Sequence, residues 1–289
     1  MNRANKLMRV AVAITAVFNA AEAFAQGFTP AYATKDLLLS FRQQPIPGAA
    51  GATDVTFDLG NVSTFLSSYG NQSVQINSGA FSRPNAFDAS LLTSAGGGNY
   101  GNLNNLHFGV TAAEAAFGIN DMWATAMRGS STDNTVADST AWTRKSATSQ
   151  GSAAGKIRDV GAQAQLFGAT LSSTAIKSGD GTPQGYNTIS SGGVFASYFS
   201  GSTEGFTGAA FGANDTVRLD FYAVNHTASG TAAAGYLGFF ELQGDGDLLW
   251  IGKDFASAVV PEPTTYGLLA GLGMLALTTR RQLRQLRQA

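Results

Sequence analysis

The sequence contains no cysteine. That excludes disulfide staples, thiolate zinc sites and a cysteine nucleophile within this chain. Charge is also scarce: Asp, Glu, Lys and Arg make up 13% of the 289 residues, against about 25% in an ordinary globular domain. Histidine occurs twice, as His107 and His226, each without an acidic residue or second histidine beside it. A histidine metal site or a serine–histidine couple would have to be assembled by tertiary folding alone. No G-x-S-x-G nucleophile elbow and no H-E-x-x-H pair is present. The glycine-rich stretch Gly96–Gly101 lacks the strand-then-helix setting and the Lys-Ser/Thr ending of a phosphate cradle, and reads as a loop.

What is abundant is glycine, at 35 residues, together with Ser, Thr, Asn and Ala. The hydrophobic share of 44% is enough to build a core, so global disorder is excluded. This composition suits an exported, turn-rich β protein better than a cytosolic helical enzyme. Basic residues concentrate at the ends: Arg3, Lys6 and Arg9 at one, Arg280, Arg281, Arg284 and Arg287 at the other. Setting these seven and Glu22 aside leaves 11 basic against 18 acidic residues. An acidic body argues against binding nucleic acid through its phosphates.

Both ends read as addresses rather than as fold. The start, MNRANKLMRVAVAITAVFNAAEAFAQ, has a basic region, an apolar stretch at Val10–Phe18 and then the small-x-small sequence Ala23-Phe24-Ala25. That order is a secretory signal peptide over residues 1–25, with cleavage after Ala25 leaving Gln26 first. Near the other end, Pro261-Glu262-Pro263 precedes an uncharged run, Tyr266–Thr279, and then the Arg280–Arg287 cluster. The run predicts a single membrane helix at about 264–279, short beside the roughly 20 residues of a comfortable span. The arginines after it predict a cytoplasmic tail. The prolines hold their segment extended and deny it helix hydrogen bonds.

Between these ends, residues 26–258 show short β-runs with glycine-rich turns. Lys35–Phe41 is a compact apolar run, and Thr53–Leu59 alternates with Val55, Phe57 and Leu59 on one face. Val217–Val224 alternates similarly. Gly235–Leu242 and Asp247–Ile251, joined by Gly244-Asp245-Gly246, predict a hairpin. Thr111 and Glu114 have capping-box spacing and predict a short helix around 112–127. Asn61–Tyr69 and Gly155–Phe167 read as further helical turns, and 129–155 as a polar loop. The fold class expected is mainly β: an antiparallel, jelly-roll-like β-sandwich with one or two short helices.

Candidate chemistry within the body is thin. Glu241, Asp245 and Asp247 cluster at the hairpin but lack the repeated spacing of an EF-hand loop. They read as a solvated turn. Trp123, Trp142 and Trp250 read mostly as core, with Trp142, in the polar loop 139–145, the one expected to be exposed. Asn-x-Ser/Thr occurs at Asn61, Asn71, Asn214 and Asn225.

Pro261-Glu262-Pro263, the Gly/Leu/Ala-rich run and Arg280-Arg281 together resemble the C-terminal sorting signal of PEP-CTERM proteins. The body stretches DLLLSFR (36–42), DLGNVSTFL (58–66) and YLGFFELQGDGDLLW (236–250) are similar to those of such proteins too. The resemblance implies export by a Gram-negative bacterium and processing by exosortase, an inner-membrane, transpeptidase-like cysteine protease. It also implies transient anchoring in the inner membrane and release to the cell surface or extracellular matrix, in association with exopolysaccharide. The partners expected are therefore exosortase, the export machinery and exopolysaccharide, with no nucleic acid, no cofactor and no metal. The function expected is non-enzymatic. The alternatives are a secreted carbohydrate-binding module using exposed aromatics, and a secreted hydrolase needing two convergent carboxylates or a histidine couple.

Overall fold

The computed structural model describes residues 33–43, 54–78, 103–114, 119–166, 176–178, 203–227 and 232–255, with residues 81, 87, 89, 92, 186, 198 and 199 individually. The predicted signal peptide with Ala23, Ala25 and Gln26, the loop 96–101, and everything beyond Phe255 lie outside the described residues. That includes Pro261, Glu262, Pro263, the predicted membrane helix and the arginine cluster. Among the described residues no helix is long and apolar enough to cross a membrane.

Ten strands and two helices are described. The strands are β1 (Asp36–Gln43), β2 (Asp54–Asn61), β3 (Ser73–Gln75), β4 (Leu106–Ala113), β5 (Met122–Met127), β6 (Ile176–Ser178), β7 (Gly205–Phe206), β8 (Thr216–Val224), β9 (Gly235–Gln243) and β10 (Leu248–Gly252). The helices are α1 (Val62–Tyr69) and α2 (Ala147–Leu166). All strand pairs are antiparallel. The mainly β expectation holds, but the strands form one sheet rather than two. Its order is β3-β10-β9-β8-β5-β4-β1-β2-β6, with β7 on β4.

That sheet has to curl. Laid flat, β2 and β3 would be seven strand spacings apart, roughly 34 Å at about 4.8 Å each. The chain joins them through α1 and a short turn, Asn61 to Ser73. An eight-residue helix rises about 12 Å, and four extended steps add about 14 Å. The two edges must therefore approach, and one apolar core closes between them. Leu37, Leu39 and Phe41 of β1, Val55 and Phe57 of β2, and Phe108 and Val110 of β4 share it with Phe221 of β8, Phe240 of β9 and Trp250 of β10. Phe65 of α1 bridges the halves, 6.0 Å from Phe240 and 5.3 Å from Trp250.

Local sequence explains why α1 starts where it does. The Asn61 side-chain oxygen accepts from the Ser63 and Thr64 amides at 3.0 and 3.4 Å, satisfying two of the free donors at a helix start. Val62 and Phe65 then face the core. The sheet's other face is covered by α2, whose Ala153, Ala154, Ile157 and Val160 meet Leu38, Met122, Ala124, Tyr222 and Val224. Expected as a turn from Gly155, this helix begins at Ala147 and runs 20 residues. Its small side chains let it lie close to the strands.

One expectation is overturned outright. Among the described residues of 112–127 there is no helix: β4 ends at Ala113 and β5 runs from Met122 to Met127. Leu106, Phe108, Val110 and Ala112 alternate into the core, and this burial outweighs the capping-box spacing. Glu114 pairs instead with Lys35 at 2.9 Å, and its amide donates to Asp121 O at 2.8 Å.

Candidate functional site

The hairpin carboxylates do not converge. Glu241 accepts from Arg218 Nε at 2.5 Å and from Gln243 Nε2 at 2.8 Å. Asp247 accepts from the Asn77 side chain at 2.9 Å, and Asp245 from the Asp247 amide at 3.1 Å. Gly246, with φ of 98°, supplies the left-handed turn. Among the described residues no three His, Asp or Glu side chains gather as a metal site.

Folding gives each histidine a carboxylate that the sequence does not. Strand register places His107 of β4 opposite Arg42 of β1 and beside Phe206 of β7. The imidazole stacks on the Phe206 ring at 4.6 Å, with Nδ1 3.8 Å from Glu204 Oε2. Arg42 grips both Glu204 oxygens, Nε to Oε1 at 2.9 Å and Nη2 to Oε2 at 2.6 Å. Burial, then the Arg42 charge, push the His107 pKa below its ordinary value, with Glu204 opposing. The Arg42–Glu204 pair stitches β1 to the segment entering β7. His226 Nδ1 lies 2.7 Å from Asp121 Oδ1, which also accepts the His226 amide at 2.7 Å. A carboxylate only accepts, so Nδ1 is the donor.

The tryptophans are all buried, which corrects the expectation for Trp142. It is 7% exposed, meets Phe199 edge-on at 4.9 Å and donates from Nε1 to Thr125 O at 3.3 Å. The polar loop around it is pinned to the sheet: the Ala234 amide donates to Trp142 O at 2.7 Å, and Thr143 bridges Ala233. None of the three indoles offers a free face for a sugar ring. A cleft of about 220 Å³ lies between α1 and β2, lined by Leu59, Asn61, Thr64 and Phe81 among others. It falls below the roughly 300 Å³ at which small-molecule pockets begin.

An extensive polar assembly among the described residues has no counterpart among the sequence motifs. Arg128, just after β5, and Asp220 of β8 form an ion pair with neither side chain exposed. Asp220 Oδ2 also accepts from the Asp138 amide, the Ser139 amide and Ser139 Oγ, each at 2.8 Å. Arg128 donates to Ser131 O and Val136 O at 3.0 and 3.1 Å, and to Asp133 O. Its guanidinium sits 4.6 Å over the Phe239 ring. A buried charge pair is tolerated when its remaining donors and lone pairs are satisfied, and here they are. The pair organises loop 129–139 on the sheet.

That loop presents Asn134 to the end of the domain. Its Nδ2 donates to Gly252 O at 2.8 Å, Lys253 O at 3.0 Å and Phe255 O at 2.9 Å. An amide nitrogen has two hydrogens, so one of them is shared. Asp133 shapes the turn by accepting from the Thr135 amide at 2.9 Å and Thr135 Oγ1 at 2.7 Å. Those two bonds, the hydroxyl's first, hold the Asp133 carboxyl below its ordinary pKa.

Sequence reading misses Arg128, Asp220, Asn134 and Glu204. One signal is present. Tyr222 and Val224 share a strand face with Arg218 and Asp220, and large apolar residues there imply that this second face is covered as well.

These observations define a mainly β domain of one curled antiparallel sheet, with its C-terminal border pinned at Asn134. A few residues beyond that border, 259–282 match the PEP-CTERM protein-sorting motif. The chain thus carries that sorting signal at its C-terminal end, as the resemblance implied. No curated protein and no solved structure matches the chain.

Proposed function

We propose that the chain is a non-enzymatic protein of the cell surface or extracellular matrix. A signal peptide over residues 1–25 exports it. Pro261-Glu262-Pro263 is the recognition element of the sorting signal, the segment at about 264–279 holds it in the inner membrane, and Arg280, Arg281, Arg284 and Arg287 fix its orientation. Exosortase processes it, and the domain then associates with exopolysaccharide outside the cell. The observation that carries this reading is the sorting motif at 259–282, a few residues after the domain border. The site chemistry is compatible with it: Arg42–Glu204, Arg128–Asp220 and Arg218–Glu241 tie strands and loops together.

Cell fractionation of strains with and without exosortase tests the reading. The protein is expected in the surface or medium fraction only where exosortase is present, and in the inner membrane otherwise. The same distribution in both strains would remove the sorting role.

A further inference from the structure

The body of the chain holds more carboxylates than cations, so its lysines and arginines have acids to pair with. Lys35, Arg42, Arg128, Lys156 and Arg218 each do so. Among the described residues, the adjacent Arg144 and Lys145 form no ion pair with a carboxylate. Arg158, within α2, and Lys253, past β10, also lack one, but each stands singly in the sequence. Asp121 is committed to the His226 amide and Nδ1. The Arg144–Lys145 backbone is nonetheless firmly held. Thr143 bridges Ala233, and the Arg144 amide donates to Ala232 O at 2.8 Å. The Lys145 amide donates to Gln150 Oε1 at 3.0 Å, and Lys145 O accepts the Thr227 amide at 2.9 Å. Arg144 Nε donates to Asn225 O at 2.7 Å and Nη2 to His226 O at 3.2 Å. A guanidinium has five N–H donors; with two used here, three have no acceptor among the described residues. The Lys145 ammonium lies 4.4 Å over the ring of Tyr198, whose hydroxyl donates to Thr143 O at 3.5 Å. Thr143, Thr148, Asn225 and His226 are exposed in the same segments.

We propose that Arg144 and Lys145 form a binding site for a uronate-bearing polysaccharide. The planar guanidinium fork matches a carboxylate, and the ammonium adds a second point charge. Tyr198 contributes an aromatic ring with a polar tip, a surface against which sugar rings pack. The exposed Thr143 and Thr148 side chains suit the hydroxyls of a glycan. An anionic membrane would call for apolar anchors beside the cations. The exposed large apolar residues among those described, Met127 and Val136, belong to other segments. The acidic body disfavours nucleic acid. The assignment rests on the exopolysaccharide reading above and gives it a charge class and a place on the domain.

Affinity electrophoresis of the full-length protein in detergent tests this, with alginate and polygalacturonate as polyuronates, dextran as a neutral glycan and polyphosphate as a polyanion without sugars. The native chain is expected to bind a polyuronate, to bind it more weakly as salt rises, and to leave dextran unbound. Lys145→Gln, which keeps both Arg144 anchors, is expected to weaken polyuronate binding at least threefold. Arg144→Gln with Lys145→Gln is expected to weaken it at least tenfold. Native tryptophan fluorescence in both variants shows that the fold is retained; if the double variant unfolds, Lys145→Gln alone decides. Polyuronate binding unchanged in Lys145→Gln overturns the site while the exopolysaccharide reading stands. Binding of dextran alone overturns the charge class and leaves that reading in place. Polyphosphate bound as tightly as the polyuronates makes the patch a general anion surface and overturns the glycan assignment. Absence of binding to every polysaccharide overturns both the site and the exopolysaccharide reading.

Discussion

Replacing Asp220 with alanine tests the electrostatic framework most severely. The substitution leaves the Arg128 guanidinium fully buried without its carboxylate. It also strips the acceptor from the Asp138 amide, the Ser139 amide and Ser139 Oγ. Removing one partner of a buried ion pair costs about 3–5 kcal/mol, and each stranded donor that water cannot reach adds about 1–3 kcal/mol. Loop 129–139 can reopen to solvent, so the lower figure of about 3–5 kcal/mol is expected. At about 2–4 °C per kcal/mol for a domain of this size, the melting temperature should drop by roughly 6–20 °C. Trp123, Trp142 and Trp250 are all buried, so the red shift of their emission on heating reports unfolding directly. The control is Arg128→Met with Asp220→Leu. Apolar replacement of both partners of such a pair is often neutral, so the double variant should regain most of the loss. A drop of less than about 2 °C in Asp220→Ala, or a double variant no better than the single one, would refute the reasoning.

The same geometry supports two further perturbations. Trp142→Ala removes an indole packed on Phe199 and is expected to cost about 3–5 kcal/mol; in the native protein acrylamide should quench Trp142 weakly, and strong quenching would contradict its burial. His107 has a lowered pKa, so the unfolded chain takes up its proton first as pH falls. Stability should therefore decline as pH drops below about 6.5 toward the folded value, and His107→Gln should flatten that part of a pH–denaturation profile. An unchanged slope in the variant would assign the decline to other groups.

The local half of the fold is readable from residues alone. Val55, Phe57 and Leu59 alternate because one side of β2 faces the core, and Gly244–Gly246 marks the β9–β10 turn. The long-range half is not. Nothing in Asn61–Ser73 says that it crosses between opposite ends of a sheet, since that emerges only when strand order is known. Thr111 and Glu114 mislead because capping spacing is a weak local preference, whereas four alternating apolar residues gain burial in a core shared by many strands. Trp142 misleads because a polar loop reads as solvated until Asp220, in a distant strand, pins it down. Asn134 has no sequence signal, for its partners are backbone carbonyls some 120 positions away. The sorting signal, by contrast, is legible because its parts are contiguous and need no tertiary context.

The most direct measurement is the C-terminal mass of the protein recovered from cells with and without exosortase. With the enzyme, the chain should end near Pro261-Glu262-Pro263 and lack Tyr266–Ala289; without it, the chain should run to Ala289. An intact tail in both strains would contradict processing of the sorting signal and leave a permanent membrane anchor in its place.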